Sequence, residues 1–293
     1  MASVRKAIIP AAGYGTRFLP ATKSMPKEML PIVDTPSIEL IVEECLNSGI
    51  TDICIILGRN KNSICDHFDV NFEVRQKLIE KDNDEAKALV KMMDKFKGVN
   101  ICYVRQSEML GTAKAVAQCE FFAAGEPVAV LFGDDVMYNP TNPVIGQLIK
   151  AYENTGKTIV GVQEMPREEV YKYGVVVPGH QKGRYVELLG FKEKPRIDEA
   201  PSTMTSLGRY VLAPDIFDFI RETPVSPSGE YYLPTAIEMQ AKVVGAYAYL
   251  FDGRRYDIGD KLGYVIANVE YALRNPALKE GLESYLRQLV KTF

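Results

Sequence analysis

Residues 6–31 read KAIIPAAGYGTRFLPATKSMPKEMLP, a short strand-like run followed by a loop of small residues and spaced cations. Gly13 and Gly15 lack a Cβ and let the backbone approach a ligand closely, and consecutive N–H groups at the carboxyl end of a strand form an anion-binding nest. Three cations follow within eleven residues: Arg17, Lys23 and Lys27. A triphosphate would use this much positive charge, so the stretch predicts a polyphosphate-binding loop after the first strand.

Other interpretations of this loop explain less of it. Gly13 and Gly15 alone would make an ordinary tight turn with solvated lysines beside it. A dinucleotide-binding fingerprint, GxGxxG, would need a glycine where Phe18 stands. A Walker A loop nearly occurs before Thr158, but its first glycine would fall at Ala151 and the segment precedes a strand.

The chain alternates strand-like and helical patterns from its start. Short apolar runs predict strands at residues 6–10, 52–57, 100–105 and 127–132. Helical spacing of apolar residues lies between them, at 38–46, 111–122 and 143–152. The order strand, helix, strand implies an α/β fold with a mostly parallel sheet flanked by helices.

The pattern changes after Thr158. Shorter strands, separated by Gly, Pro and Lys turns, are expected at 174–178, 185–192 and 206–211, which predicts antiparallel additions to the sheet. The charged stretch 72–97 is predicted to be helical and to lie across the surface. Residues 275–293 predict a terminal helix that either packs within the chain or makes a dimer contact.

Composition is that of an ordinary globular protein. The chain has 293 residues, 46% hydrophobic and 25% charged, with a formal charge of −3, so no overall positive field favours nucleic acid or an anionic membrane. Five cysteines without a CxxC pair predict buried free thiols. The sequence shows no signal peptide and no run approaching eighteen apolar residues, so a cytoplasmic location is expected.

Acidic and polar side chains follow several predicted strands. Asp134 and Asp135 come directly after the strand at 127–132, where open α/β sheets place their ligands. Carboxylates there suit Mg²⁺, and Asp257 before Gly259 can supply a second ligand. Gln106 ends another strand and offers one donor and one acceptor, which matches the edge of uracil.

Six further motifs follow the glycine loop in order. They are VRQ (104–106), GDD (133–135), YG (173–174), EKP (193–195), GRYVL (208–212) and DIGDKLGY (257–264). With the loop, they make residues 4–274 resemble the nucleotidyltransferases that produce nucleoside diphosphate sugars. The resemblance implies a single Rossmann-like domain over 1–293, with a nucleotide-binding half to about residue 140, a sugar-binding half over 141–274 and a C-terminal helix over 275–293.

The resemblance also implies an activity and a set of roles. The reaction would transfer a uridylyl group from UTP to glucose 1-phosphate, giving UDP-glucose and pyrophosphate, with Mg²⁺ as cofactor and a homo-oligomer, dimer or tetramer, as the assembly. Catalysis would use Arg17, Lys27 and Lys194, and the metal would bind Asp134 and Asp257. The nucleotide would contact Ala11, Ala12, Gly13, Gly15, Thr16, Gln106 and Gly111, and the sugar Asp135, Gly174, Glu193, Gly208 and Glu230.

Three alternatives remain open from the sequence. Residues 111–115 read GTAKA where close relatives commonly read GLGHA. Residues 229–236 read GEYYLPTA, with Pro234, where many relatives have an acid after a Thr in the GE motif, so another base or sugar 1-phosphate stays open within the class. A nicotinamide oxidoreductase would use the glycine loop, but Phe18 and the cations argue against it. A non-catalytic sugar-nucleotide sensor would not need to retain Asp134, Asp257, Lys27 and Lys194.

Overall fold

The computed structural model describes residues 3–293. Its strands are β1 (Lys6–Ala11), β2 (Pro31–Ile32), β3 (Thr35–Pro36), β4 (Asp52–Leu57), β5 (Asn100–Arg105), β6 (Val128–Leu131), β7 (Asp135–Tyr138), β8 (Thr158–Glu164), β9 (Gly174–Lys182), β10 (Tyr185–Glu193), β11 (Met204–Leu212), β12 (Ala246–Leu250) and β13 (Arg254–Asp257). Its α-helices are α1 (Ser37–Leu46), α2 (Asn62–Phe68), α3 (Phe72–Lys81), α4 (Asp84–Met93), α5 (Thr112–Ala117), α6 (Glu120–Ala123), α7 (Val144–Thr155), α8 (Ile216–Glu222), α9 (Leu233–Val244), α10 (Lys261–Arg274) and α11 (Pro276–Leu289). Single 3-10 turns occur at Thr16–Phe18, Ala21–Lys23, Lys27–Met29, Arg167–Lys172, Ile197–Glu199 and Val290–Thr292.

One nine-stranded sheet, in the order β5-β4-β1-β6-β11-β8-β12-β10-β9, runs through both halves of the chain. The pairs among β5, β4, β1 and β6 are parallel. Antiparallel pairing begins at β11, which lies between β6 and β8, and continues at the far edge between β10 and β9. The predicted α/β class, parallel at first with antiparallel additions later, is therefore confirmed. The sheet is mixed and not mostly parallel, because four of its eight neighbouring strand pairs are antiparallel.

The sheet is covered on both faces because its central strands are apolar on both sides. In β1, Ile9 belongs to a core shared with α1 and α7, while Ile8 belongs to a second core shared with α5, α8 and α9. Neighbouring residues of a strand point to opposite faces, so a continuous apolar run fills two cores at once. Strands of this kind hold their carboxyl ends at fixed positions.

Several boundaries differ from the sequence prediction. The helical pattern at 111–122 is divided into α5 and α6, and the stretch 72–97 forms two helices, because Asp82 adopts a left-handed conformation and Asn83 caps α4 by accepting from the Ala86 N–H. The terminal helix α11 contacts α10 but has no buried residue.

The cysteines are free, but the prediction that all are buried is wrong. Cys45, Cys54 and Cys119 are buried, Cys65 is half-buried and Cys102 is exposed. Cys102 lies on β5, which is at the edge of the sheet and is covered less completely than the central strands. Within residues 3–293, no helix is both long and apolar enough to cross a membrane.

Candidate active site

A cleft of about 410 Å³ opens at the carboxyl ends of the parallel strands. Fourteen of the seventeen predicted site residues line it: Ala12, Gly13, Arg17, Lys27, Gln106, Gly111, Asp134, Asp135, Gly174, Glu193, Lys194, Gly208, Glu230 and Asp257. Residues from both halves of the chain therefore share one cavity. The three that do not line it are Ala11, Gly15 and Thr16.

These three residues shape the loop after β1. Ala11 is the buried last residue of that strand, and Thr16 is an exposed residue that begins a 3-10 turn. Gly15 has a φ of +67°, and a Cβ added there would lie 3.2 Å from Lys27 Cβ and 3.3 Å from Thr22 Cγ2. Its carbonyl accepts a 2.7 Å hydrogen bond from Thr22 Oγ1. Gly15 thus allows the loop to pack closely against the segment that carries Lys27.

Lys27 and Asp134 form an ion pair at the centre of the cleft. Lys27 Nζ lies 2.6 Å from Asp134 Oδ2, and the lysine side chain passes over Gly13. Burial alone would raise the pKa of Asp134, but the adjacent Lys27 outweighs it and holds that pKa below its usual range. Burial would lower the pKa of Lys27, and Asp134 together with Glu28 raises it instead. Both groups are therefore charged near neutral pH.

Asp134 and Asp257 face the same small space beside Gly259. Asp134 Oδ2 and Asp257 Oδ1 each lie 3.2 Å from the point where a Cβ on Gly259 would stand. The Gly259 N–H donates to Asp257 Oδ1 at 3.1 Å. Carboxylate oxygens converging on a space kept open by a glycine suit a hard divalent cation. Among residues 3–293, no three His, Cys, Asp or Glu side chains form a metal-binding group on their own.

Asp135 is bound by Arg255, a residue that the sequence analysis did not identify. Arg255 Nε donates to Asp135 Oδ1 at 2.6 Å, and its Nη2 lies 3.2 Å from Asp257 Oδ2. Burial raises the pKa of Asp135, although Arg255 opposes this. A signal was available in the sequence, because Arg255 and Asp257 are two residues apart in a strand and so share one face.

Among the sugar-side residues predicted from the sequence, Gly174 lies next to Glu193, Gly208 next to Asp135, and Glu230 beside the predicted nucleotide contact Gly111. A Cβ on Gly174 would lie 2.9 Å from Glu193 Oε2, so the glycine leaves room for that carboxylate. Lys194 has a φ of +44°, and its N–H donates to the Tyr173 carbonyl at 3.0 Å. The Lys194 side chain is 59% exposed, with its Nζ 3.8 Å from Glu193 Oε1, which leaves the ammonium free to meet an anion.

Gln106 follows β5, an edge strand of the sheet, whereas Glu193 ends β10 near the other edge. The Gln106 side chain is buried. Its backbone N–H donates to the Leu57 carbonyl, but none of the hydrogen bonds among residues 3–293 involves its side-chain amide. A buried amide that lines a cleft without a protein partner can bind a ligand with both its donor and its acceptor. Close by, Gly111 packs directly on the backbone of Tyr231, next to the exposed Glu230.

A buried Glu28–Lys61 pair beneath the cleft was also missed. Lys61 Nζ lies 2.6 Å from Glu28 Oε2, and both side chains are almost fully enclosed. Glu28 Oε1 is buried without a hydrogen-bond partner. Burial raises the pKa of Glu28 and lowers that of Lys61. Lys61 lies thirty-three residues away along the chain, so nothing in the sequence indicated this contact.

The fold and the cleft define a class of protein that binds a polyphosphate and a second anion side by side. Residues 6–273 match the family described as nucleotidyl transferase, and the chain belongs to this family. Enzymes of the family generally use a divalent metal ion.

Individual relatives narrow the class. The chain is 46% identical over 289 residues, 99% of both chains, to the UTP–glucose-1-phosphate uridylyltransferase of Staphylococcus haemolyticus. It resembles a UDP-glucose pyrophosphorylase crystallised with UDP-glucose, with a TM-score of 0.84, 37% identity and coverage of 93% and 100%. It resembles the UTP-bound enzyme of Acinetobacter baumannii, with a TM-score of 0.89, 32% identity and coverage of 98% and 99%. The predicted resemblance to sugar nucleotidyltransferases is confirmed, within their UTP–glucose-1-phosphate uridylyltransferase branch.

Proposed function

We propose that the protein transfers a uridylyl group from UTP to glucose 1-phosphate, giving UDP-glucose and pyrophosphate. The observation that carries the proposal is the single cleft lined by Gln106, which follows β5, by Asp134 with its partner Lys27, which follows β6, and by Glu193, which ends β10, in the order of these strands across the sheet. This order suits a base at one end, phosphates in the middle and a sugar at the other end. The similarity to uridylyltransferases over the whole chain supports the same assignment.

The nucleotide side uses the glycine loop and Gln106. Backbone N–H groups near Gly13 and the ammonium of Lys27 would offset the charge of the triphosphate. Arg17 lies at the exposed edge, where its Nη1 donates to the Gly259 carbonyl at 3.4 Å, and it can turn toward the leaving phosphates. The free amide of Gln106 would pair with O4 and N3–H of uracil.

Asp134 and Asp257 would hold the Mg²⁺ ion. The opening beside Gly259 and the convergence of one oxygen from each acid support this choice. When bound, the ion neutralises charge on the phosphates and on the leaving pyrophosphate. Lys27 Nζ lies beside Asp134, so its ammonium would be available to a phosphate oxygen when Asp134 holds the ion.

The sugar phosphate is the nucleophile and needs no general base, because glucose 1-phosphate is already a dianion near neutral pH. One of its phosphate oxygens forms a bond to the α-phosphorus of UTP, and the bond from that phosphorus to pyrophosphate breaks in line. Lys194 would hold the attacking phosphate, while Glu193, Asp135 and Glu230 would accept hydrogen bonds from sugar hydroxyls. The histidines His67 and His180 do not line the cleft, which agrees with a reaction run by positioning and charge.

A screen of pyrophosphate release tests the proposal. UTP, TTP, CTP and ATP are each combined with the 1-phosphates of glucose, galactose and N-acetylglucosamine. We expect UTP with glucose 1-phosphate to be preferred and TTP to be used measurably, because one extra methyl group changes discrimination by only ~10- to 200-fold. A preference for ATP or CTP would contradict uridylyl transfer and leave nucleotidyl transfer standing.

A substitution at Gln106 tests the proposed base reader. Gln106→Ala should lower kcat/KM for UTP and leave the glucose 1-phosphate dependence nearly unchanged, since only the polar edge of uracil loses its partner. The matched control is Gln181→Ala, an exposed glutamine on β9.

The proposal also includes a homo-oligomer. Helix α11 exposes Leu278 and Tyr285, which offer apolar surface for such a contact. Sedimentation equilibrium would measure the number of chains in the assembly.

A further inference from the structure

Arg255 is buried between the neighbouring carboxylates of Asp135 and Asp257, both of which line the cleft. Residues Asp257 of β13 and Asp135 of β7 are direct neighbours across an antiparallel pair, so their side chains would repel each other without a cation between them. The guanidinium fills that position, with Nη2 2.5 Å from Asp135 Oδ1 and 3.2 Å from Asp257 Oδ2. Its side chain is only 10% exposed.

Arg255 contacts only one of the two oxygens of each carboxylate. On Asp135, Oδ1 accepts from Arg255, while Oδ2 faces Gly208 and lies 2.6 Å from the point where a Cβ would stand on that glycine. On Asp257, Oδ2 accepts from Arg255, while Oδ1 faces Gly259 and Asp134. Arg255 therefore leaves one oxygen of each acid available to a ligand: Asp135 Oδ2 on the Gly208 side, and Asp257 Oδ1, which also accepts from the Gly259 N–H, on the Asp134 side.

Tyr173 holds the guanidinium in this orientation. Arg255 Nη1 donates to the Tyr173 hydroxyl at 3.0 Å, and its Cζ lies 4.8 Å from the centre of the Tyr173 ring. Stacking and three differently directed hydrogen bonds require a planar guanidinium, which a lysine ammonium does not reproduce. The arrangement is built for this one side chain.

We propose that Arg255 is a positioning residue whose guanidinium fills the place between Asp135 and Asp257 that a second divalent cation would otherwise take. It thereby keeps Asp135 for the sugar and confines the metal to the Asp134 side of Asp257. The inference rests on the proposed function for the identity of the two ligands. Without the guanidinium, the two carboxylates would form a binding site for a hard metal ion, because such ions prefer clustered carboxylate oxygens.

Substitution of Arg255 should change metal binding and sugar binding in opposite directions. Loss of the positive charge should make the acid cluster bind a divalent cation more tightly, and the same cation should then occupy Asp135 and weaken sugar binding. A residue that only supports the fold would weaken both kinds of binding or leave both unchanged in the folded fraction. Tighter metal binding together with weaker sugar binding therefore distinguishes positioning from stability.

The test compares Arg255→Met with Arg254→Met. Arg254 is the adjacent arginine of the same strand, is 57% exposed and pairs with Glu270 outside the cleft. Mn²⁺ binding is measured by electron paramagnetic resonance without nucleotide, and the KM for glucose 1-phosphate is measured over a range of Mg²⁺ concentrations. We expect Arg255→Met to bind Mn²⁺ ~10-fold more tightly, or to bind one ion more per chain, because a neighbouring unit charge is removed. Its KM should rise by ~10-fold or more and rise further with Mg²⁺.

Arg255→Lys keeps the charge and guards against a variant that fails to fold. It should bind Mn²⁺ like the unsubstituted protein and show an intermediate KM, since an ammonium cannot span both acids. Equal Mn²⁺ binding by the two Met variants, or a KM for glucose 1-phosphate that does not respond to Mg²⁺ in Arg255→Met, would overturn the inference. If the unsubstituted protein did not turn over these substrates, the proposed function would fail, and the Mn²⁺ titration would still test the role of Arg255.

Discussion

Lys27 and Asp134 neutralise each other across the cleft, although they lie 107 positions apart in the chain. The pair places a cation and an anion where the phosphates and the metal ion are proposed to bind, so each is already held in position before a ligand arrives. Preorganised charge of this kind lowers the barrier because little rearrangement is needed during the reaction.

Asp134→Asn should lower turnover by ~100-fold or more at saturating Mg²⁺. Loss of one charged metal ligand removes on the order of 3 kcal/mol of transition-state stabilisation, and each 1.36 kcal/mol is about tenfold in rate. Steady-state assays of the purified variant measure this. Asp260→Asn is the control, because Asp260 caps α10 and asparagine caps a helix equally well. A folded Asp134→Asn protein with full activity would rule out the metal assignment.

Lys27→Ala and Lys194→Ala should affect different substrates. Lys27 lies over the glycine loop, so its loss should raise the KM for UTP and lower kcat; Lys194 follows β10, so its loss should act on glucose 1-phosphate. Titration of each substrate against each variant separates the two effects. The control is Lys192→Ala, an exposed residue of β10 that pairs with Glu199. A change confined to the UTP dependence in Lys194→Ala would contradict this division.

For single residues, the sequence predicted which residues belong to the candidate site better than it predicted their contacts. Glycines, lysines and acids near strand ends were identified, because loops at the carboxyl ends of parallel strands share one edge of the sheet. Lys61 was missed because its partner Glu28 lies far away in the chain. For Arg255, the spacing to Asp257 was a signal, but its contact with the distant Asp135 was not visible in the sequence. An ion pair across a fold leaves no local pattern.

Among the elements, the turn before α5 depends on a close approach of two backbones. Gly111 has a φ of +98°, and a Cβ there would lie 2.5 Å from the Tyr231 carbonyl oxygen. The Tyr231 N–H donates to the Leu110 carbonyl at 2.8 Å, and the Ala113 N–H donates to the Tyr231 carbonyl at 2.9 Å. The loop before α9 is thereby joined to the start of α5. The sequence suggested Gly111 as a nucleotide contact, whereas this packing gives the glycine a structural reason of its own.

Gly111→Ala should therefore destabilise the protein more than an alanine at a similar but open glycine. Gly125 has a φ of +75° with no atom near a built Cβ, so Gly125→Ala should cost about 1 kcal/mol of unfolding free energy from the left-handed backbone alone. Gly111→Ala adds an overlap with rigid backbone and should cost about 2–5 kcal/mol. Urea unfolding of both variants measures the difference, and equal values would show that the loop yields easily.

The boundaries of the strands and helices were only partly predictable from the sequence. The bounds of β4 and β5 agree with the predicted ranges, since apolar runs between polar residues define strands locally. The division of 111–122 into two helices was not predicted; it falls at Gln118 and Cys119, whose N–H groups donate to the carbonyls of Ala115 and Val116 in tighter turns. The break at Asp82 was likewise hidden within a charged, periodic segment.

Over the whole molecule, one buried ion pair joins the two halves of the chain. Arg209 on β11 is fully enclosed, and it donates from Nε and Nη2 to the Glu44 carboxylate of α1, with Nη2 2.8 Å from Oε2. Glu44 Oε1 also accepts from the Ile145 N–H at the start of α7. Arg209 Nη2 donates to the Asp135 carbonyl at 2.7 Å, so this network ends directly behind the cleft. The sequence predicted both halves but gave no sign of the contact between them.

Glu44→Gln should lower the free energy of unfolding by about 3–5 kcal/mol, because it leaves the guanidinium of Arg209 buried without an opposite charge. The double variant Glu44→Gln with Arg209→Met should recover part of this loss, since it removes the uncompensated charge as well, and a double-mutant cycle from urea unfolding gives the coupling energy. Asp252→Asn is the control: it breaks the exposed pair with Arg184 and should cost no more than about 1 kcal/mol. Activity adds a second measurement, because a displaced Arg209 releases the Asp135 carbonyl and should raise the KM for glucose 1-phosphate more than that for UTP. If Glu44→Gln were as stable as Asp252→Asn, the two halves would be held together by the continuous sheet and its cores, and the buried pair would not contribute to stability.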